Sequence, residues 1–214
     1  MPELNFQIEG AEVVPYAATP QIALKLRVSN ATGEPIHTVA LRCQIQLEVT
    51  RRRYTAEEQE RLLDLFGEAD RWSQTLRSML WTHVSVVVPS FEGSTVVDLI
   101  VPCTFDFNVG ATKYFHGLSG AEVPLCVMFS GTVFYARPEG GLQVSPIPWD
   151  KESRFKLPLS TWRSMMDAYY PNSAWLCLQR DAFERLYQYK VQNGIPTWEQ
   201  ALERLLTVNE VVGS

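Results

Sequence analysis

The segment Val39–Val49, VALRCQIQLEV, constrains the fold more than any other. Leu41, Cys43, Ile45, Leu47 and Val49 alternate there with Arg42, Gln44, Gln46 and Glu48. A period of two puts each set on its own face of a strand, so the segment requires a sheet with a core on one side and water on the other. Ile22, Leu24, Leu26 and Val28 alternate in the same way with Ala23, Lys25, Arg27 and Ser29. The ATGEP run between the two segments carries turn residues, and the two strands are expected to pair across it. FQIEGAEVV, ahead of them, reads as a further strand.

At Thr55 the period changes. Thr55 with Glu58 makes a capping box, and Leu62, Leu63, Leu65 and Phe66 follow at helical spacing up to Gly67. A second helical stretch is expected from about residue 68 to 78, with Trp72, Leu76 and Met79 or Leu80 on one face. Strands resume with LWTHVSVVVPSF, STVVDLIVPCTFDFNV and EVPLCVMFSGTVFYARPEGGLQVSPIPWD, where PEGG marks a hairpin between VFYA and LQVS. After about Arg154 the pattern is helical. Ser160 is expected to cap a helix carrying Trp162, Met165 and Met166 that ends near Tyr170, because Pro171 disfavours helical geometry in the residue before it. SAWLCLQ is a short apolar link or strand. Asp181 and Glu184 open a helix with Phe183, Leu186, Tyr187 and Lys190 that stops at Asn193-Gly194. Pro196, Thr197 and Gln200 start a last helix with a stripe of Trp198, Ala201, Leu202, Leu205 and Leu206, after which VNEVVGS frays. The fold class expected is α+β: an antiparallel β-sandwich over residues 4–157 with a helical insertion at about 55–79, and a C-terminal helical appendage, 158–210, packed on it as one compact unit.

Composition narrows the function classes. At 214 residues and 46% hydrophobic the chain can bury a core without staples. Nineteen basic against 24 acidic residues give a net charge of -5, which leaves no large electrostatic footprint for nucleic acid or an anionic membrane. No window approaches the roughly 18 to 20 apolar residues of a membrane span. MPELNFQIEGAEVV has acidic residues where a signal peptide is basic, so a cytoplasmic location is expected. Cys43, Cys103, Cys126 and Cys177 lie far apart without a CxxC pair and are expected to be buried, reduced thiols. Neither HExxH, nor a phosphate-binding glycine loop, nor GxSxG occurs, so no metal, cofactor or catalytic residue is assigned. A catalytic alternative would gather His116 with Lys113, Asp106 or Glu122 in a cleft.

Two groups of residues are candidates for binding. Arg51, Arg52, Arg53 and Tyr54 end the long strand just before Glu57, Glu58 and Glu60. They form either a solvated strand end paired with those carboxylates or a docking patch for an acidic protein surface. Met165, Met166, Tyr169, Tyr170 and Trp175 would line an aromatic groove for a partner segment or small ligand. The six tryptophans, Trp72, Trp81, Trp149, Trp162, Trp175 and Trp198, lie near element junctions, where most would hold helices on the sandwich.

The runs LRCQIQLEVTRRRY, DLFGEADRW, LWTHV, VPCTFD, KYFHGLSGAEVPL, FSGTVFY, IPWDKE and YYPNSAWLCL together resemble an uncharacterised bacterial family found notably in actinobacteria, over nearly the whole chain. The resemblance implies a gene neighbourhood shared with high-affinity nickel-iron hydrogenases, and hence an accessory role in assembly, stability or partner docking. It carries over no catalytic residue. The dispersed cysteines do not suit an iron-sulfur cluster, which uses close-spaced thiolates. The expected function is a non-enzymatic cytoplasmic adaptor that docks a protein partner, with hydrogenase subunits as the implied candidates. The alternatives are a sandwich that binds a small ligand or peptide, a homo-oligomer built from sandwich edges, and an enzyme using His116.

Overall fold

The computed structural model describes residues 2–104, 109–136, 140–173 and 176–212, without the side chains of 208–212. The chain divides into two units, Met1–Ser173 and Ala174–Ser214.

The first unit is built on two antiparallel sheets, as the alternation requires. One has the order β1 (Leu4–Val13), β2 (Gln21–Asn30), β5 (Ser94–Pro102). In the other, β3 (Ile36–Leu47) lies between β4 (Met79–Val88) and β6 (Glu122–Ala136), and β7 (Leu142–Pro146) and β8 (Glu152–Pro158) both pair with β6. No more than 1% of Leu41, Cys43, Ile45, Leu47 or Val49 is exposed, and the inward faces of both sheets share one apolar core.

The expected pairing of β2 with β3 does not form. β2 pairs with β1 and β5, whereas β3 pairs with β4 and β6, so Asn30–Pro35 carries the chain from one sheet to the other. Buried Asn30 fixes this crossover. Its Oδ1 accepts from the Glu3 N–H (3.0 Å), the Thr32 N–H (3.2 Å) and the Thr32 hydroxyl (3.0 Å), and its Nδ2 donates to the Glu34 carbonyl (2.7 Å). Turn chemistry of this kind serves a hairpin and a crossover equally well, and period two does not distinguish strands of one sheet from strands facing each other across a core.

The helical insertion is shorter than expected. The Thr55–Glu58 capping box is present and starts α1 (Ala56–Arg61), followed by α2 (Leu63–Phe66), which ends at Gly67. The expected helix over 68–78 reduces to a 3-10 turn, Ala69–Arg71, and one turn of α3 (Trp72–Thr75), with Leu76 already extended. Trp72 anchors that turn: its indole N–H donates to the Gly67 carbonyl (2.9 Å), and its ring packs edge-on against Tyr54 and Phe66.

A helix that the pattern did not announce, α4 (Val109–Gly117), covers TKYFHG. It buries Tyr114 and Phe115, and Phe115 stacks on Trp162 at 5.2 Å. Trp162 belongs to α5 (Leu159–Tyr169), which stops before Pro171 as expected, but Ser160 does not cap it: the helix already includes Ser160, Pro158 holds the cap position, and no side chain bonds the cap. Cys43, Cys103 and Cys126 are buried and free, but Cys177 is exposed. Burial pushes the Cys43 and Cys103 thiols up to about 12.

β6 changes partners along one edge. β8 pairs with its first half, Glu122–Met128, and β7 with its second, Thr132–Ala136, which bears out the VFYA–LQVS hairpin. Residues 137–139 of the PEGG turn lie outside the described residues. Between the two halves, the Phe129 N–H donates to the Lys151 carbonyl (2.9 Å) and the Ile147 N–H to the Gly131 carbonyl (3.0 Å). β7 and β8 thus form one edge interrupted by a five-residue bulge over 147–151, on which Trp149 is 93% exposed. Gly131 sits at this junction with φ 140°, and a Cβ there would lie 2.0 Å from the Ala40 carbonyl oxygen.

The second unit holds α6 (Arg180–Gln192) and α7 (Trp198–Val212). Residues 176–179 of the SAWLCLQ segment form no strand. α6 begins at Arg180, so Asp181 lies in its first turn, and the helix stops at Asn193, with Gly194 at φ 62°. The Thr197 hydroxyl accepts the Gln200 N–H (3.2 Å), and α7 continues to Val212, past the point expected to fray. Trp198 joins the two helices, with its ring 5.4 Å from Phe183 and 6.2 Å from Tyr187. Among the described residues, no helix of either unit is long and apolar enough to cross a membrane.

Candidate functional site

The structure separates the Arg51–Tyr54 run into interior and surface. Arg52 turns inward, where its Nη2 donates to Glu58 Oε1 at 2.6 Å, and Glu58 is only 1% exposed. The same oxygen accepts the Ser119 N–H (2.8 Å) and the Gly120 N–H (2.9 Å), and Glu58 Oε2 accepts the Thr55 N–H (3.1 Å). Burial opposes the charge on Glu58, but these N–H donors and the guanidinium outweigh it and hold the carboxyl below its ordinary value. The guanidinium also lies over the Tyr54 ring, 5.3 Å from its centre. The Tyr54 hydroxyl donates to the Val49 carbonyl (2.7 Å) and so receives the Tyr114 hydroxyl proton (2.8 Å). Burial is the main cause that raises both phenols. Arg52 and Tyr54 therefore tie the strand end to α1, α4 and the loop before β6. Arg51 pairs with Glu48 (2.9 Å), and Arg53 is exposed.

The remaining candidates are placed as follows. Met165 is fully buried beneath α5, Met166 is half-buried against the core, and the Tyr169 hydroxyl donates to the Ala17 carbonyl (2.7 Å). Tyr170 is half-buried and Trp175 lies outside the described residues. These side chains thus include part of the packing between α5 and the sheets. Of the catalytic alternative, Lys113 pairs with Asp64, Glu122 pairs with Lys156 (3.4 Å), His116 is exposed on α4, and Asp106 lies outside the described residues. Lys113 and Glu122 take separate counter-ions. An open depression of about 450 Å³ lies elsewhere, between Gly120 and the first turn of α5, beside Arg163.

Sequence reasoning missed the outer face of the five-stranded sheet. Register aligns Val87, Ala40, Thr132 and Pro146 in one row, Thr38, Phe134 and Val144 in the next, and Ala136 with Leu142 in a third. Val87 is 69%, Val144 59% and Leu142 53% exposed. The next row towards the Arg51 end, Ser85, Arg42 and Ser130, is polar and closes the patch. The outer face of the three-stranded sheet is different. Lys25 there pairs with both Glu12 and Asp98, and Arg27 pairs with Glu9, across the strands. A contiguous apolar area with a polar border, beside a bulge that carries an exposed tryptophan, has the composition of an interface core. The signal was present in VFYA and LQVS, where Phe134, Ala136, Leu142 and Val144 hold the alternate positions that a one-sided strand gives to polar residues.

The class defined by the first unit is a two-sheet antiparallel sandwich with helices inserted between its strands, one of whose sheet faces is bare. The chain belongs to DUF6084, a family of unknown function, whose model matches residues 1–213. That bears out the family of unassigned function expected from the sequence. No match was found among curated proteins. Among solved structures, the chain is similar to the ApaA protein of Bordetella pertussis, with 13% identity over 73% of this chain and 93% of that one and a TM-score of 0.24. It is also similar to a β-glucosidase of Kluyveromyces marxianus, with 11% identity over 72% of this chain and 15% of that one and a TM-score of 0.28. At these TM-scores neither likeness carries fold or activity over to this chain.

Proposed function

We propose that this chain is an accessory protein that docks a protein partner through the outer face of its five-stranded sheet. The observation that supports this is the apolar patch around Val87, Phe134, Leu142 and Val144, bordered by Ser85, Arg42 and Ser130. Folding alone would favour polar residues at those outward positions, and leaving them apolar suits a surface that a partner desolvates. The partner proposed, from the gene neighbourhood that the sequence resemblance implies, is a nickel-iron hydrogenase complex or an intermediate in its assembly. Arg51 and Arg53 lie at the opposite end of β3 and would form a second, electrostatic contact.

The test mixes the tagged full-length chain with purified hydrogenase complex. Stoichiometric co-elution at low and high salt is expected, lost with Val144→Glu and retained with Arg51→Glu and Arg53→Glu combined. If the arginine variant releases the complex and Val144→Glu does not, docking is at the strand end. If the wild-type chain never retains the complex, the proposal fails.

A further inference from the structure

We infer that the partner adds an extended segment to the outer edge of β7, which rests on the docking reading above and names what the partner presents to that face. Among the described residues β7 has no strand on its outer side. The Ile147 N–H donates to the Gly131 carbonyl, and the β6–β7 register continues from that pair. In an antiparallel ladder only alternate residues bond to a given neighbour, so Gln143 and Ser145 direct their N–H and C=O groups at β6. Leu142 and Val144 turn theirs outward, and Pro146 offers its carbonyl alone. Regularly spaced backbone donors and acceptors fit another extended chain. A helix, whose own backbone groups are already paired, cannot use them.

The two halves of this edge differ. β8 carries Glu152, Arg154 and Lys156, and β1 lies against it, with the Ile8 N–H donating to Ser153 Oγ (3.0 Å). Charge and cover of that kind keep a strand edge from pairing with another chain. β7, LQVSP, has no charged residue, and Pro146 and the bulge after it limit the edge at one end only. The side chains then select the occupant. Residues set beside Leu142 and Val144 would extend the rows of the apolar patch, whereas those beside Gln143 and Ser145 would meet polar groups on the other face. The segment that fits is uncharged, matches the five residues of β7, and alternates apolar with small polar side chains.

The probe is a peptide of alternating valine and serine, titrated into the full-length chain with amide exchange followed by NMR. When it binds, the Leu142 and Val144 amides should exchange about tenfold more slowly or less, while Gln143 and Ser145 are already slow in the free chain. The same peptide N-methylated at its valines keeps the apolar contact but loses the donors that face β7, and should not bind. Val144→Pro removes an outward donor without touching the β6 pairing, so circular dichroism should be unchanged and the peptide and the hydrogenase complex should each bind about tenfold more weakly. If the peptide leaves both amides unchanged, or the N-methylated peptide binds equally well, the inference is overturned. Undiminished retention of the complex by Val144→Pro also overturns it and leaves docking by the sheet face in place. A mass of twice 24.3 kDa that Val144→Pro halves would give the edge to a second copy, again against the inference. If the unmodified peptide alone binds but the complex is never retained, strand addition stands and hydrogenase docking falls.

Discussion

Two places in the first unit invert the usual arrangement of charge outside and apolar groups inside, and they do so with opposite consequences. At Arg52–Glu58 a full ion pair is buried, yet both carboxylate oxygens are occupied, by Arg52 and by the N–H groups of Thr55, Ser119 and Gly120. At Val87, Phe134, Leu142 and Val144 apolar side chains face outward. The fold satisfies both oxygens of the Glu58 carboxylate and leaves Arg52 Nη1 buried without a hydrogen-bond partner, so the ion pair is structural on its acidic side. The second gains nothing from the fold and is where a partner would act. The outer face of the three-stranded sheet provides the control: same architecture, with Val96 and Ile100 exposed there too, but interleaved with cross-strand Lys25–Glu12, Lys25–Asp98 and Arg27–Glu9 pairs.

The largest expected effect comes from the residue that bends the strand beneath the patch. Gly131→Ala would set a Cβ 2.0 Å from the Ala40 carbonyl oxygen at φ 140°, and the neighbour is backbone rather than a flexible side chain. A loss of about 4 kcal/mol or more is expected in denaturant unfolding. A loss below about 1 kcal/mol would show that the β6 edge can shift, and with it the rows that define the patch.

Next comes the ion pair. Glu58→Gln leaves Arg52 buried without its counter-charge and should cost about 3–5 kcal/mol, whereas Glu57→Gln, which removes only the exposed pair with Arg61, should cost less than about 1 kcal/mol. Equal costs would mean that water reaches Arg52 and that the contrast between the two inversions is false. A smaller effect appears on acidification. Since the folded carboxyl is held below its ordinary value of 4.5, the unfolded chain takes up its proton first. The contribution of Glu58 is therefore complete above that ordinary value and is lost as pH falls through the folded one. The stability gap between wild type and Glu58→Gln should narrow over that acid range and stay constant near neutrality, and a gap that widens on acidification would contradict the assigned ionisation.

Much of the first inversion was legible in the sequence, and little of the second. Thr55 and Glu58 announced a capping box, because that motif is local and its two partners lie three residues apart. That Glu58 also accepts from Ser119 and Gly120 depends on α4 bringing its following loop back to α1, a contact more than sixty positions away in sequence. The arginine run drew attention as a surface feature because charge runs are usually solvated, and only packing turned Arg52 inward. The β3 alternation assigned strand and inward face correctly, since period two is intrinsic to the backbone. It could not tell which sheet β2 joins, nor that α4 is helical, because TKYFHG buries Thr112, Tyr114 and Phe115 without an amphipathic repeat long enough to recognise. The outer patch escaped notice because its members come from four strands and become neighbours only through register.

The smallest effect on stability should be the most informative. Val144 is 59% exposed on a short edge strand, so Val144→Glu removes little buried area and should change unfolding free energy by no more than about 0.5 kcal/mol. In a partner interface the same change would bury an unpaired carboxylate at the centre of an apolar contact, which is expected to cost several kcal/mol and abolish co-elution. Val96→Glu, at an outward position of the three-stranded sheet opposite Arg27, should alter neither property. The two glutamates therefore test whether the bare face differs from the charged one in purpose as well as composition. If Val144→Glu destabilises the chain strongly, the patch is covered within the fold and is not a docking surface. If both variants leave partner binding intact, the sheet faces are equivalent and the partner contact lies elsewhere.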